Sequence, residues 1–268
     1  MKNTMKVAVC ISGQLRTYEK CYENLKKYIL KPLNPDIFIQ VWDEVGASHK
    51  ESEGNKEKVC ESKLLDMYHP KKIVIEERPI GADDELYGKK VPPKLKEIEP
   101  LHYKSALSMF YQINACNRLA VDYSKEQGFD YDVIIRIRPD SMFLEKIPDI
   151  IFDRISNNQK LVYFADYAID TKIQVCDKFA LGTPDAMTVY SNVWDNIEGL
   201  WKDPEGLNPP LTHKVGERLL KAHTDNVKNL MVKPFYLHMY NLRTNGKKVN
   251  FKRIYFLLKL KNIFYLYG

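Results

Sequence analysis

Apolar and polar residues alternate along this chain in blocks of two sizes. Short runs such as Val7–Ile11 (VAVCI), Asp36–Trp42 (DIFIQVW), Lys71–Glu77 (KKIVIEE) and Leu161–Asp166 (LVYFAD) are rich in β-branched and aromatic residues. Such runs predict strands, buried on both faces where the apolar stretch is continuous. Between them, helices are expected near residues 18–30 and 56–68, over Tyr103–Gln127 where Gly128 ends the pattern, and near residues 212–223. Strand and helix in alternation is the signature of βαβ units. The expected fold is therefore α/β, a mostly parallel, Rossmann-like central sheet flanked by helices. A polar stretch from Asp43 to Lys56 and a proline-rich one from Pro79 to Pro100 interrupt the alternation and are expected to be loops.

The long helical pattern feeds into the segment with the most chemistry. Tyr131–Phe143 (YDVIIRIRPDSMF) opens as a buried strand and closes on Arg136, Arg138 and Asp140. The first strand closes on Ser12–Thr17 (SGQLRT), where Gly13 permits a tight turn and Arg16 offers a guanidinium fork. Ligands of open α/β sheets bind beyond the carboxyl ends of the strands. An arginine pair suits phosphate and an adjacent carboxylate suits a cation, so these strand ends predict a nucleoside-diphosphate site. The chain has neither GxGxxG nor the Lys-Ser/Thr of a P-loop, which argues against a dehydrogenase or a kinase.

Other positions belong to the same picture. Ser108 and Gln112 fall one turn apart on the long helix and are candidates to touch the ligand, whereas Met109, Ile113 and Leu119 read as core. Asp177, in Asp177–Met187 (DKFALGTPDAM), is a candidate catalytic or acceptor-binding carboxylate, with a simple strand-end turn as the alternative. Gly182 ends that strand, and Thr183 caps a helix with Pro184 at its first position. A structural salt bridge to Asp132 or Asp166 is the competing account of one of the two strand arginines.

Composition bounds the class. With 268 residues, 44% hydrophobic and 28% charged, the chain fits one ordinary soluble domain. Cys10, Cys21, Cys60, Cys116 and Cys176 are odd in number and lack CxxC spacing, as expected for reduced thiols in a cytosolic protein. The apolar run after Lys2 and Lys6 is too short for a signal peptide, and no stretch reaches the roughly 20 apolar residues of a bilayer span.

Charge is unevenly placed. From Asn241 to Gly268 the seven residues Arg243, Lys247, Lys248, Lys252, Arg253, Lys259 and Lys261 stand without an acid, +7 against +6 for the whole chain. The remainder is close to neutral, which argues against a nucleic-acid partner. Because Phe251, Tyr255, Phe256 and Phe264 interleave those cations, residues 241–268 are expected to form a basic helix. It would lie on an anionic membrane surface or pack on the domain. The expected location is cytoplasmic, peripheral at the inner face of the membrane if the tail binds lipid.

ISGQLRT, SMFYQINACN, IRIRPD, DKFALGTPDAM and GERLL together resemble bacterial and large-virus glycosyltransferases of the GT-A type, over most of residues 5–240. The resemblance implies a GT-A domain over residues 1–240 that moves a sugar from a nucleoside-diphosphate sugar to a glycan or lipid-linked acceptor in surface polysaccharide synthesis. It puts Ser12-Gly13 beside the base and ribose, and Arg138-Pro139-Asp140 at the metal motif with arginine in place of the first acid. It also makes Glu217 the catalytic base, with Asp177 the other candidate, and His238 a second metal ligand with Asp140. The implied cofactor is a divalent cation, Mn²⁺ or Mg²⁺, whose need Arg138 puts in question. Two other readings stay open: a nucleotidyltransferase, disfavoured by the short SGQLRT loop, and a non-catalytic nucleotide-sugar binding module.

Overall fold

The computed structural model describes residues 5–46, 57–77, 90, 100–165, 175–200, 215–228, 230–235 and 237–242. The continuous apolar runs form the centre of the sheet: β1 (Val7–Ser12) and β4 (Val133–Ile137) are buried throughout and pair in parallel, Cys10 facing Arg136. On the other side of β1 lies β2 (Asp36–Trp42), followed by β3 (Lys72–Glu76) at the edge, both parallel. Beyond β4 come β7 (Phe179–Gly182), β6 (Leu161–Ala165) and β8 (Met231–Phe235), giving the seven-stranded order β3-β2-β1-β4-β7-β6-β8. The fold is α/β and the sheet mostly parallel, as the alternation predicts.

One reversal was not legible in the sequence. β7 runs antiparallel to both β4 and β6, with Phe179 opposite Ile137. Its amino end therefore lies at the carboxyl edge of the parallel strands, and Asp177, two residues earlier, is delivered beside Arg138.

The sheet separates two apolar layers. On one face pack the long helix α4 (Pro100–Glu126), α6 (Pro184–Ser191), α7 (Val193–Leu200) and α8 (Val215–Asn226), around Phe110, Ile134, Ala180 and Trp194. On the other face lie α1 (Tyr18–Leu25), α3 (Glu61–Tyr68) and α5 (Asp149–Ser156), around Ile135, Phe143 and Phe179. A two-stranded ribbon, β5 (Ser141–Phe143) with β9 (Met239–Asn241), closes this second face. Asn24 of α1 pins it, donating to the Phe143 carbonyl at 2.9 Å and accepting from the Phe143 N–H at 2.6 Å.

Element boundaries depart from the pattern where the backbone has local reasons. The helix expected near residues 18–30 passes into a π turn at Lys26–Leu30 and ends in the short α2 (Lys31–Leu33). Pro32 sits just past that turn, where its ring crowds the carbonyl four residues back and its missing N–H breaks the ladder. The helix expected from residue 56 begins at Glu61, and α5 and α7 were not anticipated. Thr183 caps α6 as expected, its hydroxyl accepting from the Ala186 N–H at 3.4 Å. The final run, Leu230–Tyr240, divides between β8 and β9. Most of both expected loops, Asp166, and the tail from residue 243 lie outside the described residues.

Candidate active site

β4 alternates its side chains between the two layers. Val133, Ile135 and Ile137 enter one layer, while Ile134 and Arg136 face the other, beneath α4. Arg136 is flanked in register by the small residues Cys10 and Ala180, which leaves room for a long side chain at the sheet centre. It is only 2% exposed, and none of its three nitrogens meets a hydrogen-bond acceptor among the described residues. Burial, reinforced by the charge of Arg138, holds its pKa below the ordinary arginine value. Asp132, one of the partners weighed from sequence, instead accepts the Lys6 backbone N–H at 2.7 Å.

Two more buried polar atoms at this strand edge lack a partner among the described residues: the Ser12 hydroxyl, which closes β1 beside β4, and Oδ1 of Asp177. A buried guanidinium with unmet hydrogen bonds is costly, and so is each orphaned hydroxyl or carboxylate oxygen. Arg136 thus lacks an acceptor, and Asp177 Oδ1 a donor, among the described residues.

Arg138 has the opposite environment. Its Nε donates to Oδ1 of Asp140 and its Nη2 to Oδ2, both at 2.9 Å, a bidentate fork. Arg16 Nη1 adds a contact to Oδ2 at 3.1 Å, and Asn241 Nδ2 one to Oδ1 at 2.9 Å. Burial works against the Arg138 charge, yet the Asp140 carboxylate outweighs it and raises the Arg138 pKa. Arg16 reaches this place through a left-handed backbone, φ 47°, braced by its N–H donating to Val45 O at 2.8 Å. Gly13 beside it has φ 118°, a conformation that favours glycine.

This cage surrounds Asp140, the expected metal ligand. An ionised carboxylate has about four lone-pair positions. The four donors from Arg138, Arg16 and Asn241 fill those of Asp140, and two guanidinium charges stand where a cation would bind. His238 does not join it. The ribbon pairs Ser141 with Asn241 and Phe143 with Met239, and the Leu144 N–H donates to the His238 carbonyl at 2.8 Å. His238 is thus held at the far end of the ribbon, where its Nδ1 and its backbone N–H both meet Glu145. Asn241, two places past the expected motif, is the β9 residue that faces Asp140.

Asp177 and Glu217 do come together. Gly216, the residue before Glu217, packs so closely that a Cβ there would stand 3.3 Å from Oδ2 of Asp177. Burial and then the negative charge of Glu217 push the Asp177 pKa up to about 6, against the pull of Arg138 and Arg136. Ser108 and Gln112 line up instead on Trp42. The indole Nε1 donates to the Ser108 hydroxyl at 2.7 Å. With the Gln112 amide turned so that its oxygen faces Trp42, that oxygen accepts from the Trp42 backbone N–H at 3.0 Å. Trp42 in turn stacks on Tyr111, ring centroids 5.5 Å apart. Both polar residues therefore brace an aromatic wall.

No family model matches this chain, nor does any curated protein. Sequence reasoning missed Asn241 and the Trp42–Tyr111 wall. Asn241 could have been found only by knowing the ribbon register, since HMYN carries no spacing rule. Trp42, at the end of an apolar strand, had a clear signal as the third strand end on the same edge as Ser12 and Arg138.

Proposed function

We propose that this protein is a nucleotide-sugar-dependent glycosyltransferase, moving a sugar from a nucleoside-diphosphate donor to a glycan or lipid-linked acceptor. The observation that carries this reading is Arg136: a buried guanidinium with no acceptor, at the carboxyl edge of an α/β sheet, beside a carboxylate poised near neutrality. The donor's diphosphate is the acceptor Arg136 lacks. Asp177, with Glu217 tuning it, is the base that takes the proton from an acceptor hydroxyl as that oxygen bonds to the anomeric carbon. The bond from that carbon to the diphosphate oxygen breaks, and its electron pair leaves with the nucleoside diphosphate. The charge growing on the leaving group favours the transition state over the ground state beside a fixed guanidinium.

Incubation with a panel of nucleotide sugars, with nucleoside diphosphate release as the readout, tests the reading. Release, raised by an acceptor, supports transfer. Pyrophosphate formed from a nucleoside triphosphate and a sugar phosphate would instead identify a nucleotidyltransferase, and binding without product a non-catalytic module.

The tail supports an acceptor at a membrane surface. Among the described residues no helix is long and apolar enough to cross a membrane. Residues 241–268 carry +7, at on the order of 1 kcal/mol per cation near anionic lipid. Truncation after Gly246 is expected to abolish salt-sensitive sedimentation with anionic liposomes while donor hydrolysis persists. Unfolding of the truncated protein would show instead that the tail is structural.

A further inference from the structure

Resting on the glycosyltransferase reading, we infer that the leaving diphosphate is neutralised by Arg136 rather than by a divalent cation, and that Asp140 serves as the anchor of Arg138 and Arg16. Two independent observations lead here. The carboxylate in the place of a cation ligand is 0% exposed and accepts from Arg138 twice, Arg16 once and Asn241 once. To admit a cation, Asp140 would have to surrender contacts to two guanidiniums, and both would lose their hydrogen-bonded carboxylate in a buried place. The nearby guanidinium that donates to no carboxylate among the described residues is Arg136, and its three unmet nitrogens are those of a fork that fits a diphosphate bidentately.

The charge accounting of the transfer agrees. As the anomeric C–O bond breaks, the electron pair moves onto the terminal oxygen of the nucleoside diphosphate and the acceptor's proton moves to Asp177. The reaction thus creates one new negative charge on the leaving group and removes one from the base. A guanidinium cannot be deprotonated at ordinary pH, so Arg136 meets that charge at full strength with no metal to load. The Ser12 hydroxyl, orphaned at the end of the neighbouring strand β1, is a neutral donor for a further phosphate oxygen.

The test is calorimetric binding of UDP, GDP, CDP and ADP to the full chain, in EDTA and then with added Mn²⁺ or Mg²⁺. At least one of the four is expected to bind equally well in both. Arg136→Met should weaken that binding on the order of 10- to 100-fold, as loss of a charged hydrogen-bonding partner does, and Arg136→Lys by less. Weakening of the wild-type protein by more than about tenfold in EDTA, restored by Mn²⁺, would overturn the inference while leaving the glycosyltransferase reading intact. If none of the four binds in either buffer, the donor reading itself fails and this inference falls with it. The wild-type arm decides even if Arg136→Met does not fold.

Discussion

Two arginines two residues apart on one strand have opposite fates. Arg138 is forked onto Asp140, whose remaining positions go to Arg16 and Asn241, so the cluster is complete without a ligand. Arg136 is more deeply buried and has no acceptor among the described residues; the Ser12 hydroxyl and Asp177 Oδ1 at the same edge are likewise unmet. The sequence, reading IRIR, treats the two alike. Saturation separates them: the satisfied cluster ties the ends of β1, β4 and β9 together, and the other keeps unmet donors and an unmet acceptor among the described residues.

Loss of the Asp177 carboxylate is expected to have the largest effect. If it is the base, Asp177→Asn should cost about 10²- to 10⁴-fold in kcat with donor binding little changed. The acid limb of the wild-type pH–rate profile should fall at about 6, because the carboxyl must lose its proton to act. Glu217→Gln should move that limb to lower pH, since Glu217 charge is one cause of the raised value. Stability should carry the matching sign. The folded pKa of about 6 lies above the ordinary 3.8, so the folded state binds the proton more tightly. The contribution is full below the lower value and lost as pH rises through the upper, and Asp177→Asn should remove that slope. A dead Glu217→Gln enzyme beside an active Asp177→Asn one would transfer the role to Glu217.

The saturated side predicts a stability effect. Asp140→Ala would leave Arg138 and Arg16 without their carboxylate, a change that typically costs about 3–5 kcal/mol when the charges are buried. On a chain of this size that is a fall in Tm of roughly 10 °C. Thermal unfolding of the purified variant checks it. A variant with wild-type Tm would mean that Asp140 does not anchor the strand ends.

Next comes Arg136 itself, where activity and stability should move in opposite directions. Arg136→Met should cost about 10²- to 10³-fold in kcat, the usual scale for one fixed transition-state donor. The same change replaces a buried charge whose hydrogen bonds are unmet among the described residues with a side chain of similar length, so the ligand-free protein should gain on the order of 1 kcal/mol. If activity and stability fall together, Arg136 is a structural residue and the contrast with Arg138 dissolves.

How much of this was legible depends on the range of the interaction. The apolar runs of β1, β2 and β4 announced the sheet because strand burial is written locally. Arg136, Arg138 and Asp140 were legible because they share one strand end, and Gly13 because a turn needs it. The inverted β7 was not, for FALG pairs equally well in either direction, and so the proximity of Asp177 to Arg136 and Arg138 could not be derived. That Asn241 meets Asp140 was not legible for a related reason: ribbon register, with Ser141 against Asn241, decides which side chain of the ribbon lies there. A one-residue motif cannot report that.

The smallest effect sharpens the border between wall and site. Ser108 accepts from the Trp42 indole at 2.7 Å, and Gln112 holds the Trp42 backbone N–H, so both act through an aromatic residue that is 2% exposed. Ser108→Ala deletes an acceptor and leaves a buried indole N–H with a poorer partner, a loss of about 1 kcal/mol in stability. If the residue only braces Trp42, kcat and the donor KM should stay near wild type while Tm drops by a few degrees. A rise in donor KM with unchanged Tm would bring Ser108 into the site, and the unsatisfied cluster around Arg136 would then extend across β1 to the long helix.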